Sequence, residues 1–203
     1  MSTVEQITDA AGVDGLLADA RREGRCALDT EFVWDRTYAP VLCLVQIATA
    51  DRLAVVDPMR GAPLEPVAEL VADGSVVKAM HAPGADLTGF ALHFGTGAAA
   101  VYDAQLAAGF AGLGGSLSLE RMLNQAVGVK LTHHEGFTDW SKRPLTPAQV
   151  AYAADDVRHL AQMYPALREE LVQRGRLEWL QADCARMNDA EQYRTHPDDA
   201  WKR

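Results

Sequence analysis

An α/β fold built on a mixed sheet is what this sequence predicts, on three observations. Strand-like runs alternate with helix-like stretches through the first half, two of the runs form an early hairpin, and the second half is written in helical period. The strand-like runs are CALDTEF (26–32), VLCLVQIAT (41–49) and RLAVVD (52–57), rich in β-branched and aliphatic residues and bounded by turn formers. Only Ala50 and Asp51 separate the last two, which sets the hairpin and makes the sheet mixed. Further apolar runs, VVKAM (76–80) and AAVYD (99–103), follow helix-like stretches around 63–73 and 86–93.

One helix start is sharply written. Thr146, Pro147 and Gln149 stand at the N-cap, first and third positions of a capping box, and Val150, Ala153, Ala154, Val157, Leu160 and Ala161 then recur at helical spacing. Pro165 is expected to kink or divide this helix, and Gly175 to stop it. A last amphipathic segment, LEWLQADCARM, precedes EQYRTHPDDAWKR, which is polar, lacks apolar period and reads as linker-like. The expected organisation is one domain over 1–175 with a C-terminal helix and tail over 176–203.

Composition narrows the function. At 203 residues, 48% apolar and 23% charged, the chain has the makings of an ordinary globular domain with a full core. No apolar run approaches the ~20 residues that span a bilayer, and the N-terminus MSTVEQITDA is unlike a signal peptide, so no membrane role and a cytoplasmic location are expected. Cys26, Cys43 and Cys184 lack metal-ligand spacing and read as structural. A formal charge of −9 argues against gripping long duplex DNA by a general basic surface. It does not exclude a nuclease, because divalent ions reverse the local sign where phosphate must sit.

Three fragments carry candidate chemistry. Asp29 and Glu31 are two apart at the end of an apolar strand, so both carboxylates project to one face, an unfavourable pairing unless a cation lies between them. A solvated strand edge would look the same. Asp86, in HAPGADL, follows a strand and opens a helix, where it can serve as cap, as ligand, or as both. Tyr152 and Asp156 are four residues apart on the capped helix, ~40° beyond a full turn, and so stack on one face. Measured from the centre of the apolar stripe, Asp156 lies at its border and Asp155 about 60° farther from that centre, pointing almost directly away. Asp156 is the expected ligand and Asp155 a surface charge.

Taken together, LDTEF, HAPGADL, VYDAQLAAGF, TDWSKRPLT and YAADDVRHL, in this order and spacing, resemble the catalytic domain of bacterial ribonuclease D over about residues 24 to 200. That domain belongs to the 3′-5′ exonucleases named for Asp-Glu-Asp-Asp with a Tyr in the third motif. The resemblance implies a ribonuclease-H-like mixed sheet flanked by helices. It implies two divalent ions, Mg²⁺ or Mn²⁺, on Asp29, Glu31, Asp86 and Asp156, with Tyr152 where the attacking water is oriented or deprotonated. Since a free tyrosine titrates at ~10, orientation is the role expected at neutral pH.

Substrate contacts are expected from Thr30 through its backbone N–H to the terminal ribose, and from His81, which can instead make a strand-end hydrogen bond. Phe32 either stacks on a terminal base or joins the core. Lys142 and Arg143 either meet phosphate or line a solvated loop. Asp103 reads as structural or as a support behind the ligands, not as a ligand itself, and His133 and His134 receive no role.

The implied reaction is metal-dependent removal of nucleoside 5′-monophosphates from RNA 3′ ends. Relatives of this kind carry further helical nucleic-acid-binding domains, and the sequence stops where the linker to them would begin. The expectation is therefore a catalytic domain lacking that accessory domain, as a natural short form or an excised one. Short oligonucleotides are then a substrate class beside long RNA, single-stranded DNA is a third, and an inactive nucleic-acid-binding module is the non-enzymatic alternative.

Overall fold

The computed structural model describes residues 3–33, 40–131 and 138–193; His133, His134 and the tail from 194 lie outside them. Six strands, β1 (Glu5–Ile7), β2 (Arg25–Val33), β3 (Val41–Ala48), β4 (Leu53–Val56), β5 (Val77–Met80) and β6 (Val101–Asp103), form one sheet in the order β1-β4-β3-β2-β5-β6. The pairs β2/β3 and β3/β4 are antiparallel and the other three parallel, so the sheet is mixed as expected. The predicted hairpin closes with Ala48 opposite Leu53.

Helices cover both faces, which is why central β3 is buried along almost its whole length instead of alternating. On one face lie α1 (Ala10–Glu23), α2 (Glu65–Ala72) and α3 (Gly84–Phe94), whose Val13, Leu16, Leu17, Val67, Leu70 and Phe90 meet Cys26, Leu28, Val45, Ile47 and Met80 of the sheet. On the other lie α4 (Ala104–Ala111), α5 (Leu119–Val127), α6 (Pro147–Gln173) and α7 (Leu177–Ala185). β1 and α1 are additions to the elements expected from sequence. All three cysteines are free and buried.

α6 runs the length of the sheet and brings the third motif to the first. Its capping box forms as written: Thr146 N donates to Gln149 Oε1 at 2.9 Å and Gln149 N to Thr146 Oγ1 at 3.2 Å. Pro165 does not divide it; the helix is continuous from Pro147 to Gln173. A proline in a helix interior costs ~3 kcal/mol, whereas burying each of Leu160, Met163, Leu167 and Leu171 against the sheet returns about 1.5–3 kcal/mol. Packing holds the helix across its breaker. Gly175, in the left-handed region at φ 65°, ends it, with Arg176 N donating back to Leu171 O at 2.9 Å.

The linker-like reading of the tail needs one correction within the described residues. Tyr193 packs against the core and donates its hydroxyl to Met187 O at 3.0 Å, so the chain stays docked at least that far. No described helix is long and apolar enough to cross a membrane.

Candidate active site

Asp29 and Glu31 leave β2 on the face that α6 covers, and Asp156 reaches them from α6. One carboxylate oxygen of each lies within 4.8 Å of the others. Glu31 and Asp156 are about nine-tenths buried, as is Asp86 in the first turn of α3. Thr30, between the two strand acids, points to the opposite face and its hydroxyl donates to Asp86, which ties α3 to β2 beside the cluster.

Burial and mutual repulsion dominate the electrostatics of the four carboxyls. Burial, then Asp86, Asp156 and Glu31, hold the Asp29 carboxyl well above the usual range. Glu31 is pushed up to about 9 by burial and by the charges of Asp156 and Asp86. Burial raises Asp156 to about 7, with Asp155 adding to it, and raises Asp86 to about 6 against the opposing hydrogen bond from Thr30. Among the described residues, no lysine or arginine pairs with any of the four. An all-oxygen, anionic donor set with no cationic partner fits a hard divalent ion.

Tyr152 stands one turn before Asp156 and packs on Trp140, ring centroids 6.0 Å apart. Burial, and then the charges of Asp156, Glu31 and Asp29, push its hydroxyl well above the ordinary tyrosine value. It is therefore a phenol, a donor able to orient a water. Asp155 pairs with Arg158 at 3.2 Å, while Asp156 reaches the Asp29 and Glu31 carboxylates.

Other sequence-predicted contacts fare differently. Arg143 is corrected: it is no phosphate contact, because its guanidinium is spent inside the protein. Nε and Nη2 each donate to Asp57 at 2.7 Å, Nη2 also to Cys43 O at 2.8 Å, and Nη1 to Trp140 O at 2.6 Å. The result is a brace behind the Trp140 wall of Tyr152. Lys142 stays exposed, 3.6 Å from Asp139.

His81 takes the structural alternative, its Nε2 2.9 Å from Leu117 O, and burial lowers the ring's pKa. Asp103 is structural as expected, accepting from Ala82 N at 3.0 Å and Gln105 N at 2.8 Å. Phe32 packs on Gly89 of α3, where a Cβ would meet its ring at 2.4 Å, while remaining partly exposed. The strand does not end at Glu31, but its register shifts there, Glu31 facing Leu44 and Phe32 facing Leu42. Asp57 and Trp140, which sequence reading passed over as functional parts, had one signal each: an acid at a strand end, and an aromatic in the loop before the capped helix.

This fold and carboxylate cluster define a class. Residues 4–172 match the 3′-5′ exonuclease family, and the chain belongs to it. Within that class the likeness is to ribonuclease D. The ribonuclease D of Gluconacetobacter diazotrophicus is 41% identical over 198 residues, which cover 97% of this chain and 50% of that protein. The crystal structure of Escherichia coli RNase D, an exoribonuclease involved in structured RNA processing, superposes with a TM-score of 0.89 at 34% identity, covering 98% of this chain and 53% of that one. The chain thus spans about half the length of the curated relatives it matches. Brucella melitensis NrnC bound to pGG shares the fold, with a TM-score of 0.78 at 23% identity over 95% of this chain and 93% of that one.

Proposed function

We propose that this chain is a metal-dependent 3′-5′ exoribonuclease of the ribonuclease D kind, releasing nucleoside 5′-monophosphates from RNA 3′ ends. The observation that carries it is the convergence of the partly buried Asp29 with Glu31 and Asp156, each about nine-tenths buried, within 4.8 Å, with Asp86 and Tyr152 alongside. In this reading residues 1–175 form the exonuclease domain and α7 and the tail are appended to it. The four carboxylates hold two divalent ions, Mg²⁺ or Mn²⁺. When bound, such ions activate water and offset the charge that builds on the phosphate.

The chain's own residues do the rest. Thr30 fixes Asp86 from the opposite face of β2, and its backbone N–H serves the Asp29 and Asp86 carboxylates rather than standing free for the terminal ribose. Tyr152, kept protonated and pressed on Trp140, donates to the attacking water and sets its line of approach. The exposed part of Phe32 supports the last base, and Lys142, exposed beside Asp139, is within reach of solvent-borne phosphate. The test uses RNA labelled at the 5′ end or at the 3′ end, incubated with Mn²⁺ or with chelator. Immediate release of labelled mononucleotide from the 3′ label, progressive shortening of the 5′-labelled strand and silence in chelator are expected; absence of metal-dependent release would sink the reading.

A second reading, a nuclease of short oligonucleotides, draws on the −9 charge, which gives little general grip on long RNA. It also draws on NrnC, a neighbour of similar length seen with pGG. Comparing turnover of a dinucleotide, a long RNA and the matching single-stranded DNA separates it from the first.

A further inference from the structure

Gln46 is a buried polar side chain that the chemistry above leaves unused. It sits in the middle of β3 with 0% exposure, and neither its Nε2 nor its Oε1 has a hydrogen-bond partner. Strand register fixes its place: Gln46 faces Asp29 on β2 and Val55 on β4. Directly opposed residues share a face with Cβ atoms ~4.5–5.5 Å apart. Gln46 therefore stands beside the metal-facing aspartate, on the side that α6 covers.

Most of its other neighbours are hydrophobic, though the Trp140 indole Nε1 in the same cluster as Leu44 and Val55 is likewise buried and without a hydrogen-bond partner. The next pair along the ladder, Ala27 and Ala48, packs into the α6 cluster, and Leu44, Val55, Ala153 and Trp140 form the cluster on the other side. An unpartnered carboxamide there bears its full desolvation cost, whereas an apolar side chain of the same shape would be neutral or stabilising. The group is out of place unless some state of the site supplies it a partner. Asp29 is the polar group that the register puts opposite it.

We propose that Gln46 is a positioning residue for Asp29: its Nε2–H donates to the carboxylate when that carboxylate turns to hold a divalent ion. The inference rests on the four-carboxylate metal site proposed above. A carboxylate that gives one oxygen to a cation keeps lone pairs on the other, and fixing that oxygen fixes the ligating one. Partners of this kind typically change metal affinity by ~10–100-fold when removed.

Gln46→Met tests it, since it fills the same space without the amide, and Gln46→Leu is a second filling. Two quantities are read: the melting temperature in chelator, and the dissociation constant for Mn²⁺ by calorimetry. The expected result is a melting temperature equal to or above that of the parent chain, with Mn²⁺ bound at least ~10-fold more weakly and turnover recovered at saturating Mn²⁺. Parent-like Mn²⁺ affinity in both variants, whatever their stability, would overturn the proposal. If the parent chain itself binds no Mn²⁺, it is the reading of the carboxylates that fails, a result distinguishable from the first.

Discussion

Asp156 turns its carboxylate to Asp29 and Glu31, while Asp155, one residue earlier and ~100° round the same helix, pairs with Arg158 at 3.2 Å. Asp156→Asn should therefore lower turnover by at least ~100-fold, as expected when one ligand to an electrostatically decisive ion is lost, whereas Asp155→Asn should stay within about threefold. Single-turnover rates on a labelled oligonucleotide check both, and the reverse order would refute the assignment. Asp29, Glu31, Tyr152 and Asp156 were legible in the sequence because each relation is local, two residues along a strand or four along a helix. Arg143 was misread because its partner Asp57 is 86 positions away, and a lone arginine in a loop carries no sign of it. Gln46 was invisible for a related reason: its significance lies in strand register, which single-strand periodicity does not give.

At the scale of elements, α6 and β2 do most of the positioning, and both have a local irregularity that the fold absorbs. The capping box fixed the start of α6, but Pro165 misled about its continuity, since a proline's cost is local and the compensating burial along the sheet is not. The register shift after Glu31 was not written in the strand's composition. It sets Phe32 over Gly89, the one glycine of α3 whose missing side chain is needed by a neighbouring ring. Gly89→Ala would gain a better helix former, yet its Cβ would fall 2.4 Å from the Phe32 ring. The expected outcome is a net loss of ~1–3 kcal/mol from overpacking, with weaker binding of single-stranded substrate as Phe32 is displaced. Thermal melting and KM together report it; an unchanged KM would remove Phe32 from the substrate contacts.

Over the whole molecule, the carboxylate cluster couples metal, pH and stability. A carboxyl whose folded pKa lies above its unfolded value binds its proton more tightly when folded, so its contribution is favourable in acid and is lost as pH rises toward the folded value. Glu31 at about 9, Asp156 at about 7 and Asp86 at about 6 place that loss between pH ~4 and ~9. In chelator, Asp156→Asn should consequently melt higher than the parent at pH 8, by at least ~2 °C, and lose that advantage at pH 4.5; melting curves at the two pH values decide it. Added divalent ion should stabilise the parent more at pH 8 than at pH 4.5. The three-layer mixed sheet was legible from alternating runs and the hairpin, whereas the closeness of its first and third motifs emerges only once α6 is laid across the sheet. The most direct test of the central claim, that these carboxylates are a divalent-metal site, is to titrate Mn²⁺ into the chelator-stripped chain and count bound ions by electron paramagnetic resonance. Two ions per chain are predicted, with binding lost or sharply weakened in Asp29→Asn and Asp156→Asn; no saturable binding, or binding indifferent to both substitutions, would contradict it.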